Sequence, residues 1–221
     1  KTINCDYKMR MNSFFSLSLS ILYFISLNAE TILLDFTKSD ISTTSSKWAL
    51  TNDPVMGGVS FSTWTPDYDN QKGNWDGSVK IVPSLNAPGF CNLMSESKKW
   101  PDASGQTHLM IRARSTIPYD GFKVSLAADT LNQQFKCFKA DFKMKSNGEW
   151  EEIAVPFSSF SNNWSSYTGE PITSCPSDPS VCPTEKNLKD ISQIGFWMEG
   201  AEGSFYFELQ NVRAGNGTAI M

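Results

Sequence analysis

The chain has 221 residues, of which 40% are hydrophobic and 19% charged, as is usual for a folded globular protein. Its formal net charge of −4 argues against a nucleic-acid or anionic-membrane partner, since both select basic surfaces. The length suits one long β domain or two short domains, and seven Trp and 15 Phe provide ample apolar volume for a core.

The N-terminal segment has the pattern of a secretory signal peptide. Arg10 precedes an apolar run over residues 14–27, and the small residue Ala29 marks a plausible cleavage site. An uncleaved anchor and a buried strand are the alternatives, although the run is short for a bilayer span. We therefore predict that residues 1–29 comprise upstream residues and a signal peptide, and that residues 30–221 form one β-sandwich domain.

From residue 31 onward the dominant hydrophobic period is two, which indicates half-buried strands. Phe122, Val124 and Leu126, for example, alternate with polar neighbours. The predicted strands span residues 31–36, 47–50, 58–65, 75–82, 89–95, 107–114, 121–129, 138–145, 149–155, 191–198 and 204–212.

Turn signals separate these strands, and helix signals are scarce. Asn147-Gly148 predicts a hairpin between the strands 138–145 and 149–155. Residues 184–190 predict one or two helical turns. About eleven short strands with so little helix predict an all-β protein, a jelly-roll β-sandwich.

The stretch TNDPVMGGVS, residues 51–60, raises the question of a phosphate-binding loop. A P-loop needs a Lys and a following helix, and a dinucleotide-binding turn needs G-x-G-x-x-G between a strand and a helix. Here Gly57 and Gly58 precede a predicted strand and no Lys follows, so neither phosphate site is predicted.

The same stretch has the chemistry of a constrained turn. Asn52 and Asp53 can bond to nearby backbone groups, and Pro54 fixes its own φ. Adjacent glycines permit a positive φ or a close backbone approach. We predict a tight entry into a strand with Val55 and Met56 turned inward, a loop that can also present polar groups to a ligand.

No catalytic residue is predicted. His108 is the single histidine, and a lone histidine on a strand is far more often structural than part of a Ser-His-Asp triad. Glu151 and Glu152 point to opposite faces of a strand and do not form a carboxylate pair. We predict neither a cofactor nor a metal, and we do not predict an enzyme.

Without Cys5 in the signal region, four cysteines remain, which suggests disulfides behind a secretory signal. Four cysteines allow three pairings. Cys175–Cys182 is the expected short link across a Pro-rich loop, and Cys91–Cys137 would then join two strands. A zinc site is the rival interpretation, but it needs more closely spaced cysteine pairs.

Two glycosylation sequons, at Asn163 and Asn216, suit a secreted surface. Together with the signal peptide they predict a protein that is secreted or held in the lumen of the secretory pathway, with no membrane span after cleavage.

One motif is specific enough to indicate a family. W-x-x-x-N-D-P-V-M-G-G-V-S resembles the signature of the complex I intermediate-associated protein (thirty-kilodalton) family, and WDGSVKI, APGFCNLMS, NGEWEEIAVPFSSF and the C-terminal strand pair follow in family order. The signature residues here are Trp48, Asn52, Asp53, Val55, Met56, Gly57, Gly58 and Ser60.

The resemblance implies a galactose-binding-like jelly roll and a non-enzymatic role. The family's named member assists assembly of mitochondrial respiratory complex I in a chaperone-like way, which makes mitochondria the alternative location. The signal peptide and the CPSDPSVC loop depart from the family pattern.

Two functions from different classes follow: a protein-binding or assembly module, and a secreted carbohydrate-binding module. The partner is accordingly a protein or a glycan. Trp64, Trp75, Trp100 and Trp164 lie in or near predicted turns, where an indole can stack on a sugar. The predicted ligand- or partner-binding residues are Asn52, Asp53, Gly57, Gly58, Ser60, Trp64, Trp75 and Arg114.

Overall fold

The computed structural model describes residues 30–37, 47–129, 131 and 137–217, so the predicted signal peptide lies outside the described residues. Short extended segments dominate the described chain, as the two-residue period predicts. The strands are β1 Thr31–Asp35, β2 Trp48–Asn52, β3 Phe61–Asp67, β4 Lys72–Val79, β5 Ile81–Val82, β6 Ala87–Pro88, β7 Phe90–Ser95, β8 His108–Arg114, β9 Phe122–Ala128, β10 Phe138–Asp141, β11 Glu151–Pro156, β12 Ile191–Glu199 and β13 Gly203–Gly215.

The strands form two large antiparallel sheets. Sheet A has the order β11-β8-β13-β4-β3, with β1 also paired to β13, and sheet B has the order β10-β9-β12-β7-β2. β5 and β6 make a separate two-stranded ribbon. The prediction of an all-β jelly-roll sandwich is confirmed.

Alternate residues of both sheets meet in the core. Phe196 of β12 and Phe207 of β13 place their ring centroids 5.1 Å apart, and Phe122 of β9 stacks on Phe142 at 5.6 Å. Each fully buried aromatic side chain contributes about 1.5–3 kcal/mol relative to an exposed one. The Phe196–Phe207 pair joins sheet B to sheet A, so it helps to fix how the two sheets are stacked.

The predicted hairpin at Asn147-Gly148 is wrong. β10 pairs with β9 in sheet B, whereas β11 pairs with β8 in sheet A, so the connection crosses between sheets. The turn chemistry itself is present, because Gly148 has φ +78° and its N–H donates to the carbonyl of Ser115. A glycine turn therefore signals a change of direction without specifying which strand lies next.

The predicted helical turns are confirmed as α1, Glu185–Lys189. The Thr184 side chain accepts from the backbone N–H of Asn187, and the Asn187 side chain accepts from Thr184 in return. This reciprocal capping satisfies donors that a short helix otherwise leaves free. No helix in the described part of the chain is long and apolar enough to cross a membrane.

Candidate binding surface

The loop between β2 and β3 is organised around a buried carboxylate. Asp53 is 1% exposed, and its Oδ1 accepts from the backbone N–H of Ser60 at 2.7 Å. The Ser60 hydroxyl donates to Oδ2 of the same carboxylate and accepts from the backbone N–H of Lys80 at 2.9 Å. Asp53 and Ser60, both predicted binding residues, thus tie the loop to the end of β4.

The paired glycines serve this arrangement in two different ways. Gly57 ends a 3-10 turn over residues 53–56 with φ +79°, a left-handed conformation that favours glycine. A Cβ added to Gly58 would lie 2.3 Å from Cγ of Asp53, and one on Gly89 would lie 1.5 Å from its Oδ2. The carboxylate is therefore packed between two glycines, which agrees with the predicted constrained strand entry.

The loop lies where the edges of the two sheets meet. β2 is a terminal strand of sheet B and β3 a terminal strand of sheet A. The Ser62 hydroxyl donates to Oδ1 of Asn52 at 2.9 Å, so predicted residue Asn52 bridges the two edges. Val59 and Phe61 are 61% and 59% exposed immediately beyond the loop. Val55 and Met56 were predicted to turn inward, but their side chains are not among those that the structure describes.

Two of the predicted tryptophans are core residues. Trp75 is completely buried and contacts Phe205 at 5.2 Å between ring centroids. Trp100 is also buried, and its indole N–H donates to the carbonyl of Ser192 at 3.2 Å. Neither can stack on a sugar, so the assignment of Trp75 to a binding surface is wrong: its face of β4 is the inner one.

Trp64 is half-buried and packs between the edges of the two sheets. Its ring lies over Gly73, where an added Cβ would be 2.0 Å from an indole carbon. Its ring centroid is 5.3 Å from that of Trp48 on β2 and 6.1 Å from that of Phe36. The residue supports the β2–β3 side from within.

The outer face of sheet B is covered by residues 161–173, which we call the cap. Ser161 and Lys139 exchange two backbone hydrogen bonds, of 2.8 and 3.0 Å, along β10. Trp164 donates its indole N–H to the carbonyl of Cys137 at 3.0 Å. Trp164 is thus occupied with holding the cap against the sheet.

A lysine lies between two indoles beneath the cap. The ammonium of Lys139 is 3.7 Å from the ring centroid of Trp164 and 3.8 Å from that of Trp197, and it pairs with the carboxylate of Glu199. Burial lowers the pKa of Lys139 and raises that of Glu199, despite their mutual attraction. Sequence reasoning missed this cluster, since Lys139 sits at an alternating position that predicts a solvated face.

A second lysine forms an ion pair with the cap. Lys123 is 3% exposed and pairs with Asp141 at 2.5 Å and Glu170 at 2.9 Å. A cavity of about 30 Å³, roughly enough for a water molecule, lies between β10 and the cap. Within the described residues, the cap covers this face, and the cavity beneath it is too small for an oligosaccharide.

Arg114, the last predicted binding residue, lies on the outer face of sheet A, with β13 and β4 between its strand and β3. Its guanidinium bonds to Glu208 and is 4.7 Å from the ring centroid of Trp150. Lys72 and Tyr206 bond to the other oxygen of Glu208. Burial opposes ionisation of Glu208, but these hydrogen bonds keep its pKa below the ordinary value.

One predicted disulfide is present and the other is wrong. Cys175 and Cys182 are bonded, with their Cα atoms 5.0 Å apart. Cys91 and Cys137 are free and buried. Cys91 lies on β7 and Cys137 next to β10, with the two strands β12 and β9 between them in sheet B. That spacing is about 14 Å, whereas a disulfide needs Cα atoms within about 7 Å.

The asparagines of the two glycosylation sequons differ in their structural environment. The Asn163 side-chain amide donates to the Thr173 hydroxyl at 2.9 Å within the cap. Asn216 is exposed after β13. Glycosylation of either residue stays a prediction.

His108 has a structural contact, as predicted. Its Nδ1 accepts from the backbone N–H of Gly217 at 3.1 Å. This bond holds the chain just beyond β13 against β8.

Comparison with solved structures shows the fold. A family 11 carbohydrate-binding module from Clostridium thermocellum, in complex with a β-1,3-1,4-mixed-linked tetrasaccharide, has a TM-score of 0.56 at 15% identity over 85% of this chain and 96% of that one. The family 11 module of a cellulosomal cellulase from the same organism has a TM-score of 0.55 at 14% identity, over 86% and 95%. An agarase has a TM-score of 0.51 at 11% identity, over 85% of this chain and 26% of the agarase chain.

Sequence comparison settles the family. No curated protein matches the chain. The family model described as complex I intermediate-associated protein 30 matches residues 34–210, which include the Asp53–Ser60 loop, the cap and most of both large sheets. The chain is therefore a member of the complex I intermediate-associated protein 30 family.

Proposed function

We propose that this chain is a non-catalytic binding domain whose partner is a protein. The observation that carries this proposal is the structure of the Asp53–Ser60 loop. Its polar signature residues Asp53 and Ser60 bond to each other inside the domain, whereas the apolar Val59 and Phe61 beside them are exposed. Exposed apolar side chains on a rigid support suit a protein interface, because little ordering is needed on binding. The family description points to assembly of a protein complex.

The proposal places the domain in the lumen of the secretory pathway or outside the cell. The Cys175–Cys182 disulfide supports this location, since disulfides persist in oxidising compartments and are rare in reducing ones. The predicted signal peptide and sequons point the same way.

Cross-linking with mass spectrometry tests the protein-binding proposal. The full-length chain is expressed in its host, and covalently captured partners are compared between the wild type and a Val59→Ser/Phe61→Ser variant. We expect a defined partner that the variant loses. Tyr167→Ser, which removes an equally exposed aromatic side chain from the cap, is the matched control and should retain the partner. Equal capture by all three proteins would contradict the proposal.

Carbohydrate binding is the second candidate, supported by the open outer face of sheet A. Arg114 stacks on Trp150, and both are only half-buried. A planar guanidinium beside an indole provides hydrogen-bond donors next to an apolar face. A glycan array tests it: specific binding that Trp150→Ala abolishes and Phe61→Ser does not affect would replace the protein-partner proposal.

A further inference from the structure

The edge strands of the two sheets are protected to different degrees. An edge strand exposes a row of unpaired backbone N–H and C=O groups, and natural proteins protect it with charges, proline or a covering segment. β10 of sheet B is covered by the Ser161 bridge. β11 of sheet A carries Glu151, Glu152 and Pro156. β1 pairs with β13 and is largely buried.

Among the described residues, β3 lacks these protections over most of its length. Residues 61–65, FSTWT, contain neither a charge nor a proline, and their ladder within the described chain is with β4 alone. Phe61, Thr63 and Thr65 are exposed on its outer face. β2, the adjacent edge of sheet B, is uncharged as well. Such a side would be an aggregation hazard if nothing covered it.

Contacts within the domain also keep β3 ordered. Its start is fixed by the Asp53–Ser60 bonds, and the inner-facing Trp64 is wedged over Gly73. Seven residues of β3 are paired with β4, from Phe61 opposite Ser78 to Asp67 opposite Lys72. The edge is therefore ordered before a partner arrives, which reduces the entropy cost of adding a strand.

We propose that β3 is a strand-addition site, and that its occupant is an extended, uncharged segment of a protein partner that joins sheet A along residues 61–65. The inference rests on the proposed protein-binding function and specifies its mode. Backbone hydrogen bonds supply affinity, and alternate side chains supply specificity. Because Phe61, Thr63 and Thr65 on the outer face carry no charge, the segment carries β-branched or aromatic residues at alternate positions.

A random-peptide library displayed on phage provides the probe. Peptides are selected on the wild-type chain and on two charge-insertion variants, Thr63→Lys in β3 and the matched control Ala154→Lys in β11. We expect uncharged, alternating peptides whose Kd rises about tenfold or more with Thr63→Lys and stays unchanged with Ala154→Lys. Thermal melts and sedimentation confirm that all three proteins are folded and report their oligomeric state.

Backbone N-methylation makes the test specific for strand addition. In an added strand, alternate N–H groups face β3, so methylating one alternate set should weaken binding about tenfold or more while the other set is tolerated. Equal tolerance of both sets, selection of no peptide, or a dimer of this chain that Thr63→Lys dissociates would overturn the proposal. If cross-linked partners still require Val59 and Phe61 while N-methylation has no alternation, strand addition fails and the protein-binding function stands.

Discussion

At the scale of single residues, Asp53 explains the family motif in physical terms. Its carboxylate receives two hydrogen bonds from Ser60 and is packed against Gly58 and Gly89. The sequence predicted a conformational role for these residues because Asx, Pro and Gly types build turns locally. The contact with Gly89 was not predictable, since it joins residues 36 positions apart by tertiary packing alone.

Substitutions in this loop should affect stability before they affect binding. Asp53→Ala leaves the buried Ser60 N–H without its acceptor and should cost about 1–3 kcal/mol of unfolding free energy. Gly58→Ala should cost more than about 1 kcal/mol, because its Cβ would overlap the carboxylate. The double variant should cost less than the sum, since removing the carboxylate makes room for the new methyl. Urea unfolding of the four proteins measures this, and strict additivity would show that the two residues do not press on each other.

The Lys139–Glu199 pair is a second residue-scale case. Removing one partner of a buried ion pair leaves an uncompensated charge, so Lys139→Met should cost about 3–5 kcal/mol. The double variant Lys139→Met/Glu199→Gln should recover most of that loss, because neither remaining group is charged. Chemical unfolding of both variants tests this, with Lys143→Met, an exposed lysine, as the control. A double variant no more stable than Lys139→Met would contradict the proposed pairing.

At the scale of elements, strands were predictable where one face is buried and the other wet. β8, β9 and β13 were all found from their two-residue period. Which strands pair was not predictable, because Asn147-Gly148 marks a turn whether or not the flanking strands share a sheet. The cap was missed for a related reason: its contacts use Lys139 and Lys123 at positions that alternation assigns to solvent. Trp75 shows the same limit, since residue type alone does not tell the inner face from the outer.

The position of the cysteines in sheet B gives an element-scale prediction. The chain that begins at Glu30 should contain two free thiols, Cys91 and Cys137, which do not react in the native state. Burial raises the pKa of Cys91 to about 12 and that of Cys137 to about 11, so neither carries appreciable thiolate at neutral pH.

Thiol titration with a chromogenic disulfide checks this count. We expect almost no reaction in buffer and about two equivalents of thiol in denaturant without a reductant. A Cys91→Ala variant should lose one equivalent. Absence of thiols in the denatured wild-type protein would mean that Cys91 and Cys137 are oxidised after all.

At the scale of the whole molecule, the two outer faces and the shared β2–β3 side differ in structure. The cap closes the outer face of sheet B, and the ion-paired outer face of sheet A stays open around Arg114. The β2–β3 side combines exposed apolar residues with a strand edge that pairs, within the described chain, with β4 alone. The proposed protein-binding edge and the polar outer face around Arg114 therefore use different residues.

Location decides which of these surfaces is relevant in the cell. We expect a C-terminally tagged chain to enter the secretory pathway and to be cleaved between Ala29 and Glu30. That cut would leave β1 intact from Thr31, and it would preserve the ion pair between Glu30 and Arg213. N-terminal sequencing of the secreted protein, with microscopy of the tag, gives the measurement.

An Asn216→Gln variant serves as the control for passage through the lumen, because it should lose a glycan that an amidase removes from the wild type. A mature protein in the mitochondrial matrix, or one that begins inside the strand TILLD, would refute the secretory location, and the partner of the β3 edge would then have to be sought among matrix proteins.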